Sequence, residues 1–324
     1  MRLTSFQRLA LWTTAATYFL ILVGGLVRAS GAGLGCPDWP RCFGSWIPPA
    51  SAAALPPEFD ASQFNPALMW TEYLNRLLGV TVGFLILATT ISAWRNHRHE
   101  PRILWTTTIA LLLTGFQGWL GGRVVAHELA AWIVTVHMIV ALVIVQLLLY
   151  VTVTSQGAQG AQGAQGAQGA NGAEGAQGAQ GAQGAQGARG ASPAMFMLIV
   201  LTLVQIAFGT QVRGAVDTAL DAGVARDLAL GTVGRLDYVH RDLAFAVLAG
   251  SAALTFWLLS RRAAPRVMRW SFVVLSLAIA QIVLGVVMAY GSLLPAAQVA
   301  HLTTASLLLG AETVLLLLGS RPNL

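Results

Sequence analysis

Apolar residues fall in long blocks, approximately Leu9–Val27, Leu77–Trp94, Ile103–Leu120, Ala130–Val153, Ala194–Val212, Leu243–Leu259, Val267–Tyr290 and Leu294–Gly319, with polar segments between them. A helix needs roughly 20 predominantly apolar residues to cross hydrocarbon, where no water satisfies the backbone. The pattern therefore predicts an all-α polytopic membrane protein with eight transmembrane helices. The first block is longer than the apolar core of a cleaved signal peptide, which points to a retained span.

Between the fourth and fifth blocks lies a stretch of nearly pure Gly-Ala-Gln triplets, with no apolar side chain larger than alanine. It cannot bury a core and reads as a flexible linker over residues 155–192. Its glycines recur every third position from Gly157 to Gly190, the collagen period. It lacks the proline of such helices, so a triple-helical association device is the weaker alternative.

The halves on either side resemble each other. Glu72-Tyr73-Leu74-Asn75-Arg76 opens the second helix and Asp237-Tyr238-Val239-His240-Arg241 the sixth. Asn75 precedes Gln117 by 42 positions and His240 precedes Gln281 by 41; Gln117 to His137 and Gln281 to His301 are both 20. Gly121 and Gly285 follow the two glutamines, and Arg28 and Arg213 end the first and fifth helices. This is a tandem duplication of a four-helix unit. It predicts one bundle over residues 1–154 and a second over 193–324, each with a corresponding site.

Only 10% of the residues are charged, less than half the usual share of a soluble domain, which excludes an ordinary water-soluble protein. The net charge of +6 sorts by side. With the N-terminus inside, the inner segments hold eleven arginines against Glu100, Glu174 and Glu312, a balance of +8, while the outer side has eight arginines and ten acids, a balance of −2. The positive-inside rule then places both termini in the cytoplasm and the chain in the plasma membrane; no nucleic-acid partner is needed to account for the charge. Cys36 and Cys42, the two cysteines of the chain, share the first outer loop and fit a disulfide in an oxidising compartment.

His137, His240 and His301 fall within membrane helices at similar depth in the outer third. A single intramembrane histidine is ordinarily a hydrogen-bonding residue, but an unpaired polar group in hydrocarbon costs several kcal/mol, and duplication strengthens a functional reading. Two imidazoles on separate helices suit axial ligation of haem iron and are too few for a closed tetrahedral zinc site. His240 with His301 therefore reads as a bis-histidine haem site. In the first copy Asn75 replaces the first of these histidines, leaving His137 as the strong ligand; alternatively Asn75 only bonds a neighbouring helix. Arg76 and Arg241, with Arg28 and Arg213, are candidates for haem propionates, the alternatives for the first two being salt bridges to Glu72 and Asp237 or snorkelling. Glu72 shares a helix face with Asn75 and can accept protons or stabilise positive charge, or can pair with Arg28 or Arg76. The Cys36–Cys42 loop is a structural staple or, more sharply, a redox pair. His97 and His99 read as solvated, and His127 carries no assignment.

At Gly24-Gly25-Leu26-Val27-Arg28, Gly33-Leu34-Gly35-Cys36-Pro37-Asp38-Trp39-Pro40-Arg41-Cys42, Glu72-Tyr73-Leu74-Asn75-Arg76 and Gln117-Gly118-Trp119-Leu120-Gly121-Gly122, the chain resembles the haem A synthase family in its bacterial, cysteine-bearing form. The resemblance covers all eight helices. It implies oxidation of a porphyrin methyl of haem O to the formyl of haem A, for cytochrome oxidase assembly. It also implies a b-type haem between His240 and His301, and substrate in the first bundle near Glu72, Arg76 and His137. Haem O synthase and oxidase assembly factors are the implied partners, and a homo-oligomer stays open. Asn75 departs from the pattern, since the family places histidine there. Two other readings remain: a non-catalytic b-type haem-binding membrane protein with a degenerate first site, and a transporter built from parallel repeats.

Overall fold

The computed structural model of the chain describes residues 3–167 and 190–320. Eight long helices dominate: α1 (Ser5–Ala29), α2 (Pro66–Asn96), α3 (Pro101–Ala126), α4 (Ala131–Ala167), α5 (Ser192–Asp221), α6 (Arg235–Ser260), α7 (Pro265–Tyr290) and α8 (Pro295–Ser320). Each contains a stretch long and apolar enough to span a membrane. A single helical turn, Arg226–Ala229, lies between α5 and α6. The Gly-Ala-Gln segment continues α4 as far as Ala167; the rest of the expected linker, to residue 189, lies outside the described residues.

Proline sets several of the starts. Pro66, Pro101 and Pro265 occupy the first helical turn, where the missing N–H removes no helix bond. Asn65 caps α2 by accepting from the N–H groups of Ala67 and Leu68, and Thr4 with Gln7 forms a capping box on α1. Two helices outrun their apolar blocks. α2 begins at Pro66 rather than Leu77, and α5 runs to Asp221 rather than Val212. Hydropathy fails at these ends because the added turns carry charge, but Glu72–Arg76 and Arg213–Asp217 pair at i,i+4 and the helices continue through them.

In each half, consecutive helices pack and the fourth returns to the first, closing a ring of four: α1–α2–α3–α4 and α5–α6–α7–α8. The histidine-bearing helices of a ring are therefore diagonal partners that face each other across its centre. The rings join through α1 and α4 on one side and α5 and α8 on the other. α8 is accordingly the most enclosed helix, with 56% of its apolar window buried against 11% for α7. Leu142, Ile206 and Leu309 fill the seam, and near the cysteine-loop end Thr135 bonds Thr210 at 2.6 Å and accepts from Gln211 at 2.6 Å. Within the first ring, Thr13–Thr89 at 2.9 Å and Thr14–Thr152 at 3.0 Å cross between helices. Such pairs contribute about 0.6 kcal/mol each in a membrane, where apolar packing has no water to escape from.

One count from the sequence changes. Glu312, counted there with the inner-segment acids, is buried inside α8 at 1% exposure and accepts from the Thr202 hydroxyl at 2.8 Å. Removing it from that tally leaves the excess of inner arginine intact.

Candidate functional site

The internal repeat holds down to single atoms. Gln117 Nε2 donates to the His137 carbonyl at 2.8 Å, and Gln281 Nε2 donates to the His301 carbonyl at 2.8 Å. One turn past each glutamine, a glycine faces the imidazole: a Cβ on Gly121 would stand 3.5 Å from His137 Cε1, and one on Gly285 3.8 Å from His301 Cε1. His137 and His301 both lie six residues past their first helical residue, and His240 lies five past Arg235. Equal depth on diagonal helices follows from these starts.

In the second ring His240 and His301 stand within electrostatic range of each other. Gly209 of α5 backs His240 closely; a Cβ there would lie 3.0 Å from the ring. The backbones of Gln205 and Gln281 approach the two rings without reaching hydrogen-bond geometry at Nδ1. At the rim, Asp237 pairs with Arg241 at 2.7 Å, and the arginine side chain stays 45% exposed.

The first ring differs. Gly24, four residues before Arg28 as Gly209 is before Arg213, has nothing within 4 Å of where its Cβ would sit. Asn75 leaves its Oδ1 buried and unpaired. Gly24 thus faces open space where Gly209 meets the His240 ring. Above it, Glu72 is buried, with Oε2 accepting from the Cys36 N–H at 2.7 Å and Oε1 paired with Arg76. Arg76 spends all five donors: Nε and Nη2 on Glu72, Nη1 on the carbonyls of Asp38 at 2.7 Å and Arg41 at 2.8 Å, and Nη2 again on the Cys36 carbonyl at 3.2 Å. The Arg76 expected near a propionate is thus a clamp on the loop.

That loop is built to be held. Cys36 and Cys42 form a disulfide and are fully buried with Phe43 and Met69. Asp38 accepts from the N–H groups of Phe43 at 2.6 Å and Gly44 at 3.0 Å, fixing a turn in which both residues have positive φ. Gly35 lies against the Leu68 carbonyl, where a Cβ would collide with backbone.

Arg28 and Arg213 meet at the seam. Both pair with Asp217, and Arg213 Nη1 also donates to Gln298 Oε1 at 2.6 Å. The sequence reading missed Asp217 and Gln298. Both lack counterparts in the first copy, where Ala32 and Val134 stand, so the repeat that flagged the histidines did not flag them.

Among the described residues no three His, Cys, Asp or Glu side chains converge on a bare-metal site. The residues fit a haem. The imidazoles of His137, His240 and His301 each leave Nδ1 buried without a hydrogen-bond partner, which leaves that atom's polar capacity unused by the fold. Glycine rather than a side chain backs each ring.

The profile of the cytochrome oxidase assembly protein family (COX15-CtaA) matches residues 7–313. Among curated proteins the chain is 32% identical over 155 residues to the heme A synthase of Shewanella oneidensis, covering 46% of this chain and 44% of that one. It is 30% identical over 142 residues to that of Allorhizobium ampelinum (38% and 39%), and 32% identical over 124 residues to that of Geobacillus kaustophilus (38% and 34%). Each of these alignments takes in less than half the length of the relative.

Proposed function

The chain belongs to the cytochrome oxidase assembly protein family, and from that premise we propose that it is a haem A synthase-type oxidoreductase, with substrate haem O in the first ring and a resident haem b in the second. The observation that carries the reading is the matched Gln–His pair on each ring, opposed by a second histidine in one ring and by an open position under a clamped carboxylate in the other. The arginine excess on the segments that share a side with the termini supports a cysteine loop outside and both termini in the cytoplasm.

His240 and His301 would hold haem b, and this group supplies one-electron redox capacity when bound. In the first ring His137 holds the substrate on one face, and Asn75 offers a weak amide on the other. Conversion of a methyl to a formyl takes up one water and releases four protons and four electrons. Glu72 is the carboxylate of this ring placed to receive those protons, at an oxygen kept in position by Arg76 or by the Cys36 N–H. The buried disulfide loop limits bulk water above it, and Arg241, half exposed and paired once, is free to meet a propionate at the second ring. Haem O synthase and oxidase assembly factors are the partners this chemistry calls for.

Asn75 favours the second reading, a b-type haem protein whose first site has lost function. Co-expression with a haem O-forming enzyme, followed by pigment extraction, separates the two. Haem A or a hydroxylated intermediate supports the synthase; haem b with unreacted haem O supports the binding protein.

A further inference from the structure

One carboxylate serves both rings. Asp217 pairs with Arg28 across the seam and with Arg213 at 2.7 Å in its own helix, and Arg226 also lies within electrostatic range of Arg213. Two guanidinium groups thus share a single acid. Nε of Arg28 and Nε of Arg213 are both buried without a partner, which leaves charged donors unsatisfied where water is scarce. Each arginine sits one turn past a cleft glycine, Arg28 past Gly24 and Arg213 past Gly209. Arg213 also holds Gln298, which lies one turn before His301. The network therefore lies one helical turn from both clefts and carries positive charge in excess of its own acid.

We propose that Asp217 is a positioning residue that couples the two clefts, exchanging partners when a porphyrin carboxylate enters the first ring. The proposal rests on the haem reading above. An incoming carboxylate takes the Arg28 guanidinium, Asp217 is left to Arg213 alone, and the second cleft loses positive field. No bond is made or broken beyond these ion pairs. Less positive surroundings favour ferric over ferrous iron, so filling the first cleft lowers the midpoint potential of the second. Reciprocally, the redox state of the second changes the affinity of the first, as linkage requires.

Zinc protoporphyrin, a redox-silent dicarboxylate, is the probe, and its dimethyl ester is the control. Added to purified protein that carries haem b, the diacid shifts the haem b midpoint downward and the ester does not. In Asp217→Asn the shift shrinks, and in Asp217→Glu, which keeps the charge, it persists. An undiminished shift in Asp217→Asn, or an equal shift with the ester, overturns the proposal. If Asp217→Asn does not accumulate, Arg28→Gln removes the first-ring arm alone and must lose the shift; retention of the full shift there overturns the proposal equally. A preparation with no haem b signal before any porphyrin is added contradicts the haem reading itself, and the coupling with it.

Discussion

The two rings share their glutamine–histidine pair and differ in everything that closes the cleft. In the second, Gly209 presses on His240, which faces His301, and the rim pair Asp237–Arg241 is open to its surroundings. In the first, Gly24 has no neighbour where its Cβ would sit and Asn75 stands in place of the histidine, while Glu72 and Arg76 are drawn up into the cysteine loop. The same helix position therefore carries histidine in one ring and asparagine in the other, and the same acid–arginine pair is a half-exposed rim in one and a buried clamp in the other. A site that retains a cofactor gains from two strong ligands; a site that admits and releases its occupant can tolerate one. The 20-residue excess in the first half (47 positions from Arg28 to Asn75 against 27 from Arg213 to His240) supplies the loop that makes the difference.

The sharpest way to break the comparison is at the acids. Glu72→Ala is expected to reduce turnover by about 10²-fold or more, the usual contribution of a positioned proton acceptor, while Asp237→Ala leaves turnover within about tenfold. Single-turnover formation of haem A from haem O measures both, and equal losses would erase the functional distinction between the rings.

The arginines come next. Arg76→Ala strands a buried carboxylate and three loop carbonyls, and is expected to destabilise the first ring by about 3 kcal/mol. Arg241→Ala removes one half-exposed pair, worth under about 1 kcal/mol. Thermal unfolding in detergent compares the two directly; a larger loss for Arg241→Ala would contradict the clamp. Opening the disulfide by Cys36→Ser should cost about 2 kcal/mol, as expected for so short a closed loop, and leave the haem b spectrum unchanged.

Much of this architecture is legible in the sequence, because a membrane forces each span to be long and apolar and a duplication makes matched polar residues stand out. The eight helices and the three histidines follow from those two facts. The helix ends at Pro66 and Asp221 do not, since the charged turns that carry Glu72 and Asp217 lie outside the apolar blocks, whereas each acid is paired within its helix. The Glu72 partner of Arg76 was among the alternatives that the sequence offered, but the clamp on the loop was hidden: the other three acceptors are backbone carbonyls, which carry no residue signature. Asp217, Gln298 and Glu312 are single-copy polar residues, and only packing reveals what they meet.

A smaller effect sharpens the contrast between the glycines. Gly209→Ala should displace His240 and weaken haem b retention several-fold, because its Cβ would come within 3.0 Å of the ring. Gly24→Ala should be silent, with open space around it. Haem content per protein, measured by pyridine haemochrome after detergent washing, reports both; equal tolerance at the two positions would show that the clefts are shaped alike.

The most direct test of the central claim is the spin state of bound haem, read by electron paramagnetic resonance on protein loaded at both sites. The account predicts a low-spin bis-imidazole signal that disappears in His240→Ala and in His301→Ala. It also predicts a separate high-spin signal that is lost in His137→Ala and converts to low-spin in Asn75→His. A colourless protein, or a spectrum that keeps both signals after His240 and His301 are removed together, would contradict it.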